Sequence, residues 1–407
     1  MILNSYGDPG FCRFDTCTGL SYVLQYIIPC ALESCCAGEL RAHGKRRRTL
    51  LQTGKRNQRS NGALAIVFKV LLVVVETLLL IVLALYGAMY VVAKGPSQTA
   101  RERFVLSVRE TSAIGFLANW FLTDEEIAAI DARQQEAEYV ETDVTLVTIS
   151  NEPREESGTD GPAADAWGLV DEDGDGIIVD TVRGAGYNGY MMVVLDPSRV
   201  IMGSVPSSFG RQGYTVAELV EYYDAVAGIN AGGFYDPDGF GDGSTPDSIV
   251  VFNGQRYYAE FGLRKGFVGF DSQYIMHICN SQSEIEAAGI QYGASFGPAL
   301  VVNGEPALAD DYTGGFNPRT AIGQRSDGAV LMLVIDGRQA TSLGASFSDL
   351  MEIMLRYGAV NAYNLDGGSS SLMWYQGDYL NNKAYVIGVR DIPTSFLVLK
   401  EGASVNG

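Results

Sequence analysis

The sequence predicts an α+β protein, a large mixed β-sheet with packed helices, preceded by one transmembrane helix. Three observations lead there. After residue 176, short β-branched runs outnumber helical stretches and do not alternate with them regularly, as a parallel βαβ winding would require. The 48 Gly and 13 Pro of 407 residues fall between these runs as turns, not as low-complexity tracts. Finally, residues 63–93 are apolar on every helical face.

Taken in order, the chain opens on a head, 1–62, that is basic and Cys-containing. It holds nine Lys/Arg against four Asp/Glu, which leaves 20 against 44 in the rest of a chain of net charge -19. An acidic body of that size excludes nucleic acid as a partner, because phosphate backbones need a cationic surface. Cys12, Cys17, Cys30, Cys35 and Cys36 fit no paired CxxC framework. A metal site, a lipid attachment and a reduced tail all remain open for them.

The span 63–93 contains Lys69 and Glu76 and exceeds the roughly 20 residues a transmembrane helix needs. It starts too deep in the chain for a cleavable signal peptide. Arg41, Lys45, Arg46, Arg47, Arg48, Lys55, Arg56 and Arg59 precede it, whereas Lys94, Arg101 and Arg103 follow. The positive-inside rule therefore puts the N-terminus in the cytoplasm and the remainder outside, as a single-pass protein.

Residues 97–133 read as a helical stalk, with Thr123 to Glu126 as a capping box. An acidic linker, 134–170, follows, and Val144–Ile149 within it has the composition of a strand. The body is 171–407. Its strands are expected at 177–179, 191–195, 249–252, 299–302, 330–335, 360–365 and 396–399. Helices are expected from Thr215 to about Val226, over 281–288 and over 347–357. Asn303-Gly304 is a hairpin turn. Cys279 reads as a buried small hydrophobe and His277 as a half-buried strand residue. With His43 the only other histidine, a Ser-His-Asp hydrolase and a His-rich zinc site are disfavoured.

Four segments break the strand pattern with glycines and polar groups: Ile229 to Tyr235, Ser295 to Pro298, Asn317 to Gly323, and Asn364 to Ser371. In the last, an apolar strand delivers Asp366 onto two glycines that let the backbone approach a ligand. A plain Asx-capped turn would read the same way. Arg319 enters a strand start, where it either pairs with a carboxylate or grips phosphate through its planar fork. Asn230 reads as a helix C-cap or as an amide that holds a sugar hydroxyl or phosphoryl oxygen.

In their order these pieces resemble the phosphodiester glycosidase family: Asn230-Ala-Gly-Gly-Phe234, Gly297-Pro298 with Asn303-Gly304, Pro318-Arg-Thr-Ala-Ile-Gly323 and Asn364-Leu-Asp-Gly-Gly-Ser369. The resemblance covers about 180–400. It implies a hydrolase that removes a sugar from a glycosyl-1-phosphodiester, in cell-envelope or exopolysaccharide metabolism. It also implies that Asn230, Arg319 and Asp366 are catalytic. Gly232, Gly233, Phe234, Thr320, Gly367, Gly368, Ser369 and Ser370 would bind substrate. Where relatives often carry a third glycine, this chain has Ser369. A non-catalytic polysaccharide-binding protein on the same fold is the alternative. No cofactor is demanded, but Asp171, Asp173 and Asp175 before Gly176 have the spacing of a calcium loop. Its twelfth position is Val182 instead of Glu, with Asp180 as a substitute.

Overall fold

The computed structural model describes residues 52–111, 114–134, 140–149, 164–237, 241–257, 266–309, 314–384 and 388–403, with side chains from residue 64 onward. The cysteines of the head and most of the acidic linker lie outside the described residues. The chain divides into two units within its first helix, 1–80 and 81–407.

That helix, α1, runs Gln52–Lys94. Over Leu64–Lys94 it is long and apolar enough to cross a membrane, and the window that qualifies is not buried within the protein. After Gly95 the chain turns back. Ser97 caps α2 (Gln98–Arg109), a 3-10 turn covers Gly115–Trp120, and the Thr123–Glu126 capping box starts α3 (Asp124–Asp131). The expected stalk is thus three short pieces, because Thr111, Ser112 and Gly115 are poor helix formers. Ala93 of α1 is buried with Val105, Leu106, Ala118, Phe121, Leu122, Ile127 and Ile130. Val144–Leu146 forms a 3-10 turn in place of the expected strand.

In the body, β1 (Ile177–Gly184) and β2 (Tyr187–Val194) form a hairpin, and β3 (Val200–Ser204) follows. Helix α4 (Val216–Tyr222) starts on the Thr215–Glu218 capping box, and β4 (Ala225–Asn230) comes next. The helix was expected to reach Val226, but it stops four residues earlier. Asp224 turns at φ 50°, and the following Ala/Val/Gly/Ile run pairs in a sheet instead. Asn230 is therefore a strand end, not a helix cap.

The middle of the chain supplies β5 (Val250–Phe252), β6 (Gln255–Tyr257), β7 (Gly266–Phe270), β8 (Met276–Cys279), α5 (Gln282–Ala287) and β9 (Tyr292–Phe296). Then β10 (Ala299–Val302) turns through Asn303 and Gly304, both at positive φ, into β11 (Glu305–Pro306). The last third contains β12 (Arg319–Arg325), β13 (Val330–Ile335), α6 (Phe347–Arg356) and β14 (Ala359–Leu365). It ends with β15 (Met373–Tyr375), β16 (Asp378–Tyr379) and β17 (Thr394–Leu399).

The α+β class is as expected. The strands form three sheets, ordered β1-β2-β13-β12-β14-β10-β11, β16-β15-β4-β17-β3 and β6-β5-β9-β7-β8. Each pairing among these named strands is antiparallel. The two-residue period of a strand sorts the side chains between layers. Val330, Met332 and Val334 of β13 face a core shared by the three sheets, with Ile229, Val268, Phe270, Ile322 and Phe396. Leu331, Leu333 and Ile335 point the other way, onto Phe347, Leu350, Ile353 and Met354 of α6. Helix α4 covers the second sheet through Val216, Leu219 and Val220. Cys279 is buried in a cluster with Ile285 of α5.

Candidate active site

Antiparallel register brings the strand ends that matter to one end of the seven-stranded sheet. Arg319, the first residue of β12, lies opposite Ile335, the last of β13, and Thr320 lies opposite Leu365, the last of β14. The chain leaving β14 meets the chain leaving β4, where the Asp366 N–H donates to Ala231 O at 2.9 Å. Asn364 closes the third side, its Nδ2 donating to Gly297 O at 2.6 Å.

Asn230 is fully buried at the centre of this junction. Its Nδ2 donates to the Asp366 carbonyl at 2.6 Å, and its Oδ1 accepts from the Thr320 hydroxyl at 2.7 Å and the Leu372 N–H at 3.2 Å. The residue holds the Asp366 turn; Thr320 is occupied with the same task. Neither presents a polar atom to solvent.

Asp366 itself is half-buried. Its Oδ1 accepts from the Gly367 N–H at 3.0 Å. Burial pushes its pKa up to about 7, and the charge of Asp247 adds to that; a hydrogen bond from Ser370, the charge of Arg390 and the Gly367 N–H act in the opposite direction. Gly233 is where the chain passes Asp247: a Cβ there would stand 2.8 Å from Asp247 Oδ2, so a larger residue would displace that carboxylate. Arg390 lies over the Phe234 ring, its guanidinium carbon 4.8 Å from the ring centre. It donates to Ser369 Oγ at 3.1 Å and forms an ion pair with Asp236.

Arg319 is almost completely enclosed. Its Nη2 donates to Glu110 Oε2 at 2.6 Å and to Gly315 O at 2.7 Å, and its Nε donates to Ala345 O at 3.2 Å. The guanidinium stacks on Phe347 at 4.0 Å. Glu110, the residue that ends α2, also accepts from the Gly315 N–H at 3.0 Å and from Asn317 Nδ2 at 2.8 Å. A carboxylate thus rests in a cradle of one guanidinium, one amide and one backbone N–H, a donor set suited to any oxyanion. Arg338 borders it, donating to Thr111 Oγ1 at 2.9 Å and Asn317 Oδ1 at 3.1 Å. Burial, and then the charge of Arg319, lower its pKa. Gly368, at φ 62°, comes close to the Arg338 guanidinium: a Cβ there would lie 3.3 Å from Nη2.

The segments singled out from sequence are therefore brought together: Asn230 to Phe234, Arg319 and Thr320, and Asp366 to Ser370. Glu110, Asp247, Arg338 and Arg390 were missed. A signal existed for Arg338, since Asp336-Gly337-Arg338 follows the apolar run of β13 as Asp366-Gly367 follows β14. The other three carry no local signal, because they arrive from distant loops.

Asp171, Asp173 and Asp175 form an acidic cluster in the loop before β1, one carboxylate oxygen from each within 4.8 Å of the others. Asp171 already accepts the N–H groups of Gly174 and Gly176, and Asp175 accepts that of Ile177. Asp180, weighed as a further ligand, instead accepts from the Tyr357 hydroxyl at 2.5 Å. Val182 is buried. Asp236 is committed to Arg390, and His277 Nε2 lies 3.1 Å from Asp271 Oδ2.

The phosphodiester glycosidase family model matches residues 223–399. Residues 223–399 belong to that family. This phosphodiester glycosidase region holds the residues described around Asp366 and Arg319 except Glu110 and Thr111, and it excludes the acidic cluster Asp171, Asp173 and Asp175. A prophage-derived protein of Bacillus subtilis (strain 168), YomE, is 39% identical over 98 residues, 23% of this chain; the chain spans 15% of that relative's length. The catalytic domain of zebrafish N-acetylglucosamine-1-phosphodiester alpha-N-acetylglucosaminidase, auto-inhibited by its pro-peptide, is 15% identical with a TM-score of 0.47. That match covers 55% of this chain and 82% of the zebrafish one. A protein from Burkholderia pseudomallei K96243 is 17% identical with a TM-score of 0.42, covering 52% of this chain and 74% of its own.

Proposed function

We propose that this chain is a membrane-anchored hydrolase that removes a sugar from a glycosyl-1-phosphodiester in the cell envelope or an exopolysaccharide. The observation that carries the reading is Asp366, a carboxylate on a rigid strand end, with Arg390 and Arg338 close enough to act on its charge and a pKa pushed up to about 7. The excess of Lys/Arg before α1 supports an N-terminus in the cytoplasm and a catalytic domain outside.

The chemistry needs little acid, because a phosphate monoester is already a good leaving group. Water attacks the anomeric carbon, and Asp366 as carboxylate takes its proton. The carbon–oxygen bond breaks towards phosphate through an oxocarbenium-like state. Free sugar and a phosphate monoester leave, and Asp366 returns its proton to solvent. A pKa near 7 makes it a stronger base than an ordinary carboxylate while leaving about half of it ionised at neutral pH. Arg319, Arg338 and the Gly315 N–H are the groups suited to hold the phosphate oxygens. For that, Glu110 has to leave Arg319, so the arrangement seen is a closed one.

The test is turnover of an α-N-acetylglucosamine-1-phosphodiester by the full chain in detergent, with Asp366→Asn and Arg319→Ala in parallel. Release of sugar that both substitutions abolish is expected; retained turnover in Asp366→Asn sinks the assignment. The occupied state of Arg319 favours one other reading, a polysaccharide-binding protein without turnover. Binding of such phosphodiesters with no sugar released from any member of a glycosyl panel would select it.

A further inference from the structure

We propose that the 3-10 turn Gly115–Trp120 is a second membrane contact, its Phe116 and Trp120 side chains seated in the interfacial layer of a lipid bilayer beside the end of α1. The inference rests on α1 spanning a membrane and is independent of the catalytic reading.

The turn divides its side chains sharply. Ala118 and Phe121 are buried towards α1 and α2, whereas Phe116 and Trp120 are 55% and 60% exposed and Ile114 is 39% exposed. Three large apolar groups within seven residues are thus turned outward. The two rings lie against each other, centroids 5.5 Å apart, and form one aromatic surface. Polar contacts flank the turn: Asn119 Nδ2 donates to Asp124 Oδ1 at 2.8 Å, and Lys94 forms an ion pair with Glu126 at 2.9 Å.

Depth follows from one contact. The Phe121 ring lies 5.2 Å from that of Tyr86, and Tyr86 precedes Lys94 by eight residues, about 12 Å along the helix. Leu64–Lys94 comprises 31 residues, about 46 Å of helix, against a hydrocarbon core of about 30 Å. Roughly 20 residues counted from Val70, just after Lys69, end at Met89. Tyr86 and Tyr90, both exposed and one helical turn apart, stand at that limit, where aromatic belts form. The turn is packed at their level. Lipid is the occupant because Phe121, next to Trp120 in the chain, packs on Tyr86 of α1 and so holds the two exposed rings beside that helix, and because an indole suits a layer that is apolar below and wet above.

The test uses the full chain in phosphatidylcholine vesicles brominated at acyl positions 6,7 or 11,12. The difference between the unaltered chain and Trp120→Phe isolates Trp120 from Trp167 and Trp374. The expected result is quenching by the shallow bromines, weaker quenching by the deep ones, and little by aqueous iodide. A chain carrying Trp167→Phe and Trp374→Phe, with Trp120 alone, gives the same reading by another route. Three outcomes overturn the proposal: Trp120 quenched by iodide and not by lipid, quenched more by deep than by shallow bromines, or shielded from both by a second copy or a partner protein. A chain that does not float with vesicles removes the spanning reading as well; one that floats and gives any of these three removes this inference alone.

Discussion

Glu110→Gln separates the two roles that one contact plays. The substitution keeps the shape of the side chain and an oxygen that still accepts hydrogen bonds, but removes its charge. Arg319 would keep Gly315 O, Ala345 O and the Phe347 ring, and would lose the anion at 2.6 Å. Removing one partner of a buried ion pair costs about 3–5 kcal/mol. The Arg319 side chain is 6% exposed but that of Glu110 is 29% exposed, so water compensates on one side and about 2 kcal/mol is the reasoned loss. At about 2 °C per kcal/mol for a domain of this size, the melting temperature falls by about 4 °C. The same energy opposes substrate, because phosphate reaches Arg319 only after Glu110 has left. Relieving it raises kcat/KM by up to about 30-fold, at 1.4 kcal/mol per decade. The assay pairs thermal melting of the detergent-solubilised chain with sugar release from a glycosyl-1-phosphodiester. A fall in kcat/KM alongside the fall in melting temperature would refute the reasoning: Glu110 would then be holding Arg319 in place for catalysis.

Three further outcomes follow from the same geometry. If Asp366 acts as the base, kcat/KM rises with pH along a single limb of apparent pKa near 7 and is flat above it; a rate that falls across this limb would make it an acid instead. Because its folded-state pKa lies above the ordinary 3.8, the fold binds a proton the unfolded chain has released; its contribution is full below about pH 4 and is lost as pH rises to about 7. Asp366→Asn should therefore melt higher than the unaltered chain at pH 8 and no higher at pH 4, even as it loses turnover; equal melting at pH 8 would contradict the buried-charge argument. Asn230→Ala deletes three buried hydrogen bonds and should cost about 2–4 kcal/mol in denaturant unfolding, far more than a surface alanine. A loss under 1 kcal/mol would show that the junction does not depend on it.

What sequence revealed and what it concealed divide along the distance between partners. Local patterns were legible: the capping boxes at Thr123 and Thr215, the Asn303-Gly304 hairpin, α6, the apolar span, and the strand that ends on Asp366. Strands such as β4 and β9 were hidden, because Gly228 and Gly293 interrupt their apolar pattern and both are packed against neighbouring strands too closely for a side chain. The site was half legible. Glycine turns at strand ends can be seen in one dimension, so Asn230, Arg319 and Asp366 could be singled out as candidates. What surrounds them could not be, because Glu110 lies 209 residues from Arg319, and Arg390 reaches Asp236 across 154. Asn230 was recognised for the wrong neighbourhood: an amide before two glycines looks like a helix cap until the preceding Ala/Val run is seen to pair with β15 and β17.

The topology also sets what can be taken out of this protein. The family-matched region begins at residue 223, yet β2 lies against the full length of β13 and β3 against β17, and both come from earlier in the chain. Excised at the family boundary, the region would present β13 and β17 as long, apolar, unpaired sheet edges, which are templates for aggregation. The portable module therefore starts no later than Ile177, and shorter expression fragments should be sought as insoluble material, whatever their chemistry.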